Sequence, residues 1–365
     1  MRSPYMEWAK TRSQARFNLA TSGIMSVPRA EFPQVPQALE ITSPGGYGYA
    51  PLQERLAAHN RVPQECVVAA TGTSMANQLA MAAVLSPGDE VLIEQPAYGP
   101  LLDVANYLGA RVKRFTRDFG DAFALDVNAI EQAITADTRL IVLTNLHNPS
   151  GALIPRDTLR EIGTMAQSRG VRVLVDEAYL EMLFDDEPPF AFPLGQELSG
   201  GENPFIVTNS LTKVYGLSGL RCGWILAVPE LARRIWLLND LFGANAAHPA
   251  EQLSVVAFDH LAQFRTRAQK IVATNRALLD SWLASRADLQ FSRPPCGTIV
   301  FPRLPMEDAE GFFAHLREKY ETTVVPGGQF EMPQHFRLGI GGDTAELRGG
   351  LERISAALDE FATGR

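Results

Sequence analysis

The sequence predicts an α/β fold, in which a large domain with a mainly parallel sheet is followed by a smaller α+β domain. Two observations lead to this prediction. Between residues 66 and 210, short apolar segments alternate with segments of helical period, a pattern typical of crossover units in a parallel sheet covered on both faces. Beyond about residue 250, the strands become fewer and shorter and mix with helices.

The strands of the large sheet are predicted from runs of apolar residues that follow an irregular, proline-containing N-terminal stretch. In chain order they are 66–70, 90–94, 110–115, 140–144, 171–175 and 205–208. The segments between them predict helices at 74–85, 101–108, 127–134 and 157–168. In the last of these, Leu159, Ile162 and Met165 lie on one apolar stripe, as expected of a helix packed on a sheet.

One long helical stretch, 248–284, is predicted to lead into the second domain. It is followed by predicted strands at 289–292, 298–301, 323–325 and 336–340 and by helices at 309–320 and 345–361. We therefore expect a large domain over residues 36–250 and a small C-terminal domain over residues 251–365.

Composition excludes several classes of protein. The chain has 365 residues with 33 Lys and Arg against 41 Asp and Glu, a net charge of −8, which opposes binding to nucleic acid. We find no apolar run long enough to span a membrane. The three cysteines are far apart and fit neither a disulfide framework nor a zinc site, so we expect a cytoplasmic protein.

Four segments with reactive or polar residues follow predicted strands, and ligands of parallel α/β sheets bind beyond the carboxyl ends of the strands. The first, Thr71-Gly-Thr-Ser, provides small residues and hydroxyls at a helix N-terminus, which suits a phosphate; taken alone, the segment is better explained as an ordinary helix cap. The second, Asn145-Leu-His-Asn-Pro-Ser-Gly, offers the amide of Asn148, although it also reads as a plain turn.

The other two segments contain an acid and a lysine. Asp176-Glu-Ala-Tyr ends a buried strand, where a carboxylate needs a positive partner; no further ligands converge for a metal. Ser210-Leu-Thr-Lys places Lys213 beside an apolar strand, where desolvation and Arg221 would lower its pKa and favour a nucleophilic amine. The alternative is a surface lysine with a buried stem. Together, the four segments indicate a pyridoxal phosphate site.

These motifs, in this order and with Gly-Leu-Arg-Cys-Gly at 219–223, resemble those of the class I/II aminotransferases, the fold-type-I pyridoxal-phosphate enzymes. The resemblance extends from about Phe17 to Phe361. It implies a large domain with a seven-stranded, mainly parallel sheet and a smaller α+β domain. It also implies that residues 1–35 join the small domain and cover the substrate.

The resemblance implies a role for each candidate residue. Lys213 forms the Schiff base with the cofactor and, once released, moves the proton at the substrate α-carbon. Asp176 keeps the ring nitrogen protonated, and Tyr179, also assigned to catalysis, hydrogen-bonds the phenolic oxygen. No metal is implied. The cofactor-binding residues are Gly72, Thr73, Ser74, Tyr98, Asn148, Asp176, Tyr179, Ser210, Lys213 and Arg221.

Arg337, in His335-Phe-Arg-Leu-Gly-Ile, matches the arginine that binds the substrate α-carboxylate, with Gly23 and Asn148 beside it. The alternative is a surface arginine on a strand. Family members are homodimers in which a tyrosine of the partner subunit reaches the phosphate. Tyr47 or Tyr49 could serve, and Gln53, where the family usually has an arginine, leaves that choice open.

The resemblance implies transamination from an L-amino acid to a 2-oxo acid. Other reactions of this fold remain alternatives: C–S β-lyase, α-decarboxylase, and β- or γ-replacement or cyclising activity. A binding protein that keeps the fold without turnover is disfavoured because Lys213 and Asp176 are both present. The amino donor stays open.

Overall fold

The computed structural model describes residues 2–35, 39–185, 187–199 and 201–362. The strands are β1 (Phe17–Asn18), β2 (Val67–Thr71), β3 (Glu90–Gln95), β4 (Arg111–Thr116), β5 (Thr138–Thr144), β6 (Arg172–Asp176), β7 (Phe205–Ser210), β8 (Cys222–Leu226), β9 (Ile299–Val300), β10 (Thr322–Thr323), β11 (Val325–Pro326) and β12 (Phe336–Gly339).

The helices alternate with these strands. They are α1 (Pro4–Thr11), α2 (Ala50–Asn60), α3 (Gly72–Val84), α4 (Gly99–Tyr107), α5 (Val127–Ala133), α6 (Arg156–Arg169), α7 (Ala191–Glu197), α8 (Pro229–Asn239), α9 (His248–Asp259), α10 (Leu261–Ala284), α11 (Ala309–Tyr320) and α12 (Thr344–Ala362). Short 3₁₀ turns occur at Arg29–Glu31, Gln64–Cys66, Leu180–Leu183, Ser218–Leu220 and Gly327–Phe330.

Seven strands form the large sheet in the order β2-β8-β7-β6-β5-β3-β4. All neighbours are parallel except for β8, which runs antiparallel to both β2 and β7. The predicted α/β fold with a mainly parallel, seven-stranded sheet is therefore confirmed.

Both faces of this sheet are covered by apolar residues, as parallel strands require. In β3, Val91 and Ile93 face one core cluster while Leu92 faces the other. Leu79 of α3 packs in the first cluster and Ile162 of α6 in the second. Helices on both faces leave the carboxyl edge of the sheet as the place where polar side chains from several strands can meet.

A third cluster joins the two ends of the chain. It combines Leu19 with residues of α10, α11, α12 and β12, and β1 pairs in parallel with β10. The N-terminal segment thus packs against the C-terminal residues. The division at residue 250 stays a prediction, and residue 36 lies outside the described residues.

The structure corrects several expected elements. The N-terminal stretch is not irregular throughout, since it contains α1 and α2. The expected single helix over 248–284 is broken at His260, whose backbone (φ −122°, ψ 21°) leaves the helical region and separates α9 from α10. The strand expected at 289–292 is reduced to an isolated bridge between Gln290 and Arg303. Strand β8 is not among the strands expected from the sequence, although it is an apolar run that directly follows Arg221.

A charged pair lies inside the large sheet. Arg117 Nη1 donates to Glu94 Oε2 at 2.8 Å, and both side chains are fully buried. Thr144, at the end of β5, donates its backbone amide and its hydroxyl to Glu94 Oε1. Glu94 thereby links β3 to the carboxyl end of β5, where the candidate site lies.

None of the described helices is long and apolar enough to cross a membrane.

Candidate active site

A cavity of about 760 Å³ opens at the carboxyl ends of β5, β6 and β7, beside the N-terminus of α3. Nine of the residues predicted from sequence line it: Thr73, Ser74, Tyr98, Asn148, Asp176, Tyr179, Ser210, Lys213 and Arg221. The other three, Gly23, Gly72 and Arg337, each contact one of these nine. The structure thus brings all the predicted site residues together.

Hydroxyls and a guanidinium gather at the N-terminus of α3. Thr73 Oγ1 donates to Ser210 Oγ at 2.8 Å, and Arg221 Nη2 donates to the carbonyl oxygen of Thr71 at 3.3 Å. A Cβ at Gly72 would lie 2.4 Å from Arg221 Nη2, and its φ of +75° favours glycine. Only a glycine at 72 lets the guanidinium approach this helix end, which favours an anion.

Asp176 lies at the end of β6, buried beneath the cavity. Asn77 Nδ2 donates to its Oδ2 at 2.8 Å, and the backbone amide of Ala178 donates to its Oδ1. Burial raises the pKa of this carboxyl, and the two hydrogen bonds oppose the rise. Thr208 in turn donates to Asn77 Oδ1, which fixes the amide with its nitrogen toward the acid.

Lys213 follows β7 and packs against the N-terminal segment. Its Nζ donates to Ser22 Oγ at 3.2 Å, and the Tyr179 hydroxyl donates to the same oxygen at 2.7 Å. A Cβ at Gly23 would lie 3.2 Å from Lys213 Cα. The amide of Ile24 donates to the Lys213 carbonyl oxygen at 2.8 Å, so the two segments are held together by the backbone.

Arg337 lies on β12 with 1% of its surface exposed, so it is not a surface arginine. Its Nη1 donates to Asn148 Oδ1 at 2.8 Å, and its Nη2 donates to the Tyr5 hydroxyl at 2.9 Å and to the carbonyl oxygen of Ala20. Nε is buried and has no hydrogen-bond partner among the described residues.

Tyr98 caps the start of α4 and borders the same cavity. Its ring meets that of Tyr5 edge-on, with the centroids 5.1 Å apart. Burial raises the pKa of the Tyr98 hydroxyl well above its ordinary value, so the ring stays neutral. Tyr5 therefore contacts both Tyr98 and Arg337.

Neither Tyr47 nor Tyr49 is among the described residues that line the cavity. Tyr47 is 56% exposed and its hydroxyl donates to Asp240 Oδ2 at 3.3 Å. Tyr49 meets the His248 ring edge-on. The choice of a tyrosine that reaches a partner subunit stays a prediction.

Sequence reasoning missed two residues of this site. Tyr5 lies far from every motif, and only the packing of α1 against α4 takes it to Arg337. Asn77 lies one turn into α3, on the face toward the sheet. A buried asparagine in an alanine-rich helix is a signal that could have identified it, because a buried amide needs polar partners.

Comparison with known proteins gives a family. The model for aminotransferases of class I and II matches residues 40–354. The chain belongs to this family. Pyridoxal 5'-phosphate is therefore its cofactor, and the recognition made from the sequence motifs is confirmed.

Relatives of this aminotransferase-family chain carry more than one name. Capreomycidine synthase of Streptomyces vinaceus is 30% identical, covering 100% of this chain and 95% of that protein. Histidinol-phosphate aminotransferase 1 of Cupriavidus pinatubonensis is 28% identical over 96% of this chain and 94% of its own length. A PLP-dependent aminotransferase structure from Streptococcus suis covers 99% of both chains with a TM-score of 0.90 at 24% identity.

The residues present in the cavity fit pyridoxal phosphate. The end of α3, with its hydroxyls and Arg221, suits a phosphate group, and the Gly72 cradle leaves room for the guanidinium. The buried Asp176 carboxylate suits a protonated ring nitrogen. Lys213 provides a primary amine in the same cavity, as covalent attachment of an aldehyde requires.

Proposed function

We propose that this protein transfers an amino group from an L-amino acid to a 2-oxo acid. One observation carries the proposal: the amine of Lys213 and the carboxylate of Asp176 line one cavity, and Arg337 reaches it through Asn148. When bound, pyridoxal phosphate supplies an electron-withdrawing ring that stabilises negative charge at the substrate α-carbon.

The chain's own residues would divide the remaining work. Lys213 would bond the cofactor covalently and, once displaced by substrate, move the proton at the α-carbon as general base and acid. The Asp176 carboxylate would hold the proton on the ring nitrogen. Ser22, which accepts hydrogen bonds from Lys213 Nζ and the Tyr179 hydroxyl, would orient the amine.

Phosphate binding falls to the hydroxyls of Thr73, Ser74 and Ser210 and to Arg221, at the N-terminus of α3. Tyr98 would stack on the cofactor ring. Arg337 would bind the substrate α-carboxylate, since its guanidinium is buried and held by Asn148 and Tyr5. A planar guanidinium binds a carboxylate through two parallel hydrogen bonds.

Replacing Tyr5 by Phe is expected to raise KM for the amino acid about tenfold while kcat changes less than about twofold. The variant keeps the ring and removes one hydrogen bond to a charged group, a loss of about 1.5 kcal/mol. Steady-state kinetics over a range of amino acid concentrations measures the effect. The control is Tyr320→Phe, which removes a hydroxyl bonded to Glu360 far from the site. An unchanged KM in Tyr5→Phe would contradict the role of Tyr5 in positioning Arg337.

A second candidate is a cyclising reaction on the same cofactor. It is favoured by the 30% identity to capreomycidine synthase over the whole chain. Both reactions begin with loss of the α-proton, so the same Lys213 would serve either. What distinguishes them is whether the amino group stays on the cofactor or leaves with the product.

An absorbance titration tests the proposal. Protein loaded with pyridoxal phosphate is mixed with single amino acids, and the visible band of the cofactor is followed. Transamination predicts that at least one amino acid converts this band to that of the aminated cofactor and that a 2-oxo acid restores it. If no amino acid does so while ammonia, carbon dioxide, a thiol or a cyclic product is released, the proposal is wrong and the competing chemistry takes its place.

We also propose that the protein is a homodimer with large and small domains divided near residue 250. The exposed apolar side chains Tyr47, Leu237, Leu241 and Phe242 support an interface near the end of α8. A cytoplasmic location stays a prediction.

A further inference from the structure

Residues of α4 and of the N-terminal segment line the same cavity as Lys213, and we call this part of the cavity the slot. One wall is α4, which presents Pro100, Asp103, Val104 and Tyr107 to the cavity at helical spacing. The opposite wall is the N-terminal segment, which presents Ser3, Met6 and Lys10. The second wall lies outside the residues that match the family model, so this part of the cavity is shaped by the chain's own N-terminus.

The slot contains an acid without a partner. Asp103 is half-buried, and its Oδ2 atom is buried with no hydrogen-bond donor among the described residues. Ser3 Oγ, on the facing wall, is also buried and unpartnered. Of the described residues that line the cavity, Asp103 and Asp176 are the carboxylates, and Asp176 is already bonded by Asn77. A half-buried carboxylate that lacks a donor is unfavourable, so a cationic group that enters the cavity beside Asp103 would be stabilised by it.

The depth of Asp103 suits a long side chain. Five residues separate Tyr98 from Asp103 along α4, which corresponds to about 7.5 Å of helix. Tyr98 is the residue expected to stack on the cofactor ring, so a group that meets Asp103 would lie beyond the ring along α4. Only a substrate with a long side chain would place its terminal group there.

The cations on the slot walls lie at its rim. Arg2 and Lys10 are exposed, and Arg2 Nη1 lies 3.5 Å from Glu7 Oε2. Exposed charges are screened by water and salt, whereas a half-buried carboxylate is screened much less. An acidic substrate side chain that reached the same depth would meet the like charge of Asp103.

We propose that the substrate is an amino acid with a long cationic side chain, and that Asp103 accepts hydrogen bonds from its terminal ammonium or guanidinium group. Ser3 Oγ provides a second acceptor on the opposite wall. This assignment rests on the proposed function, because it takes the substrate to be an amino acid held at Arg337.

Binding of unreactive probes tests the assignment separately from turnover. The probes are 5-guanidinopentanoate, hexanoate and adipate, which share a carboxylate on an unbranched chain and lack the α-amine. Calorimetry on the protein loaded with pyridoxal phosphate should give a Kd for the guanidino acid at least tenfold below those of the other two. Asp103→Asn should weaken its binding at least tenfold and leave hexanoate within twofold, since charge-assisted hydrogen bonds are the stronger class.

The matched control is Asp121→Asn, which changes an exposed acid in a turn and should leave binding of the guanidino acid unchanged. Unchanged binding of hexanoate to Asp103→Asn shows that this variant is folded. The assignment is overturned if the guanidino acid fails to bind, if hexanoate or adipate binds as tightly, or if Asp103→Asn has no effect. If the guanidino acid binds through Asp103 and no amino acid aminates the cofactor, the assignment stands and the transamination proposal fails.

Discussion

Lys213→Ala should lose turnover by roughly 10⁴-fold, because one amine is expected both to hold the cofactor and to move the proton at the α-carbon. The Nζ atom of Lys213 donates to Ser22 Oγ and lies 5.8 Å from the centroid of the Tyr179 ring. Turnover of the amino acid identified by the titration measures the loss. The phosphate-binding hydroxyls and Arg221 remain in the variant, so we expect it to keep part of its affinity for the cofactor.

Two comparisons make this result specific. Lys270→Ala, which removes an exposed lysine of α10, should leave turnover unchanged. A small primary amine added to Lys213→Ala should restore part of the rate, because it can occupy the vacated space and accept the proton. Retention of most of the activity by Lys213→Ala would rule out the proposed role, whichever reaction the enzyme catalyses.

The second large effect is expected at Asp176. Asp176→Asn keeps the size of the side chain and removes its charge, so a buried positive ring nitrogen would lose its partner. Losing one partner of a buried charge pair costs about 3–5 kcal/mol, which corresponds to roughly a 10²- to 10⁴-fold fall in kcat. Steady-state kinetics measures the fall, and a pH titration of the cofactor's visible band should show a lowered pKa for the ring nitrogen.

Asn77→Ala provides a graded comparison. This amide donates to Asp176 Oδ2 at 2.8 Å, so we expect about a tenfold loss, in line with one hydrogen bond to a charged group. If Asp176→Asn retained half of the wild-type kcat, the carboxylate would not be the partner of the ring nitrogen.

Local patterns predicted most of the large sheet. Strand β5 is a continuous apolar run that is buried except at Arg139, and α6 has an apolar stripe whose members are all buried. In both, the signal is the period of hydrophobicity, which depends only on neighbouring residues. Strand β8 has the same signal, an apolar run that is buried throughout, whereas the signal of helix α2 is weaker because polar residues interrupt its apolar face.

The sequence by itself determined the cofactor-binding motifs, because each lies within a few residues at the end of one strand. The spacing of Lys213 from Arg221, and of Asp176 from Tyr179, is a property of short segments whose local geometry the chain cannot vary much. Such motifs identify the chemistry before any contact between strands is known.

Only the tertiary structure decided which distant residues complete the site. Tyr5 reaches Arg337 across more than three hundred residues of sequence, and Ser3 and Asp103 line one cavity because α1 packs on α4. Glu94 looks like an ordinary strand residue until Arg117 is found beside it in the core. Contacts of this kind depend on how whole elements pack, and local periodicity contains no information about that packing.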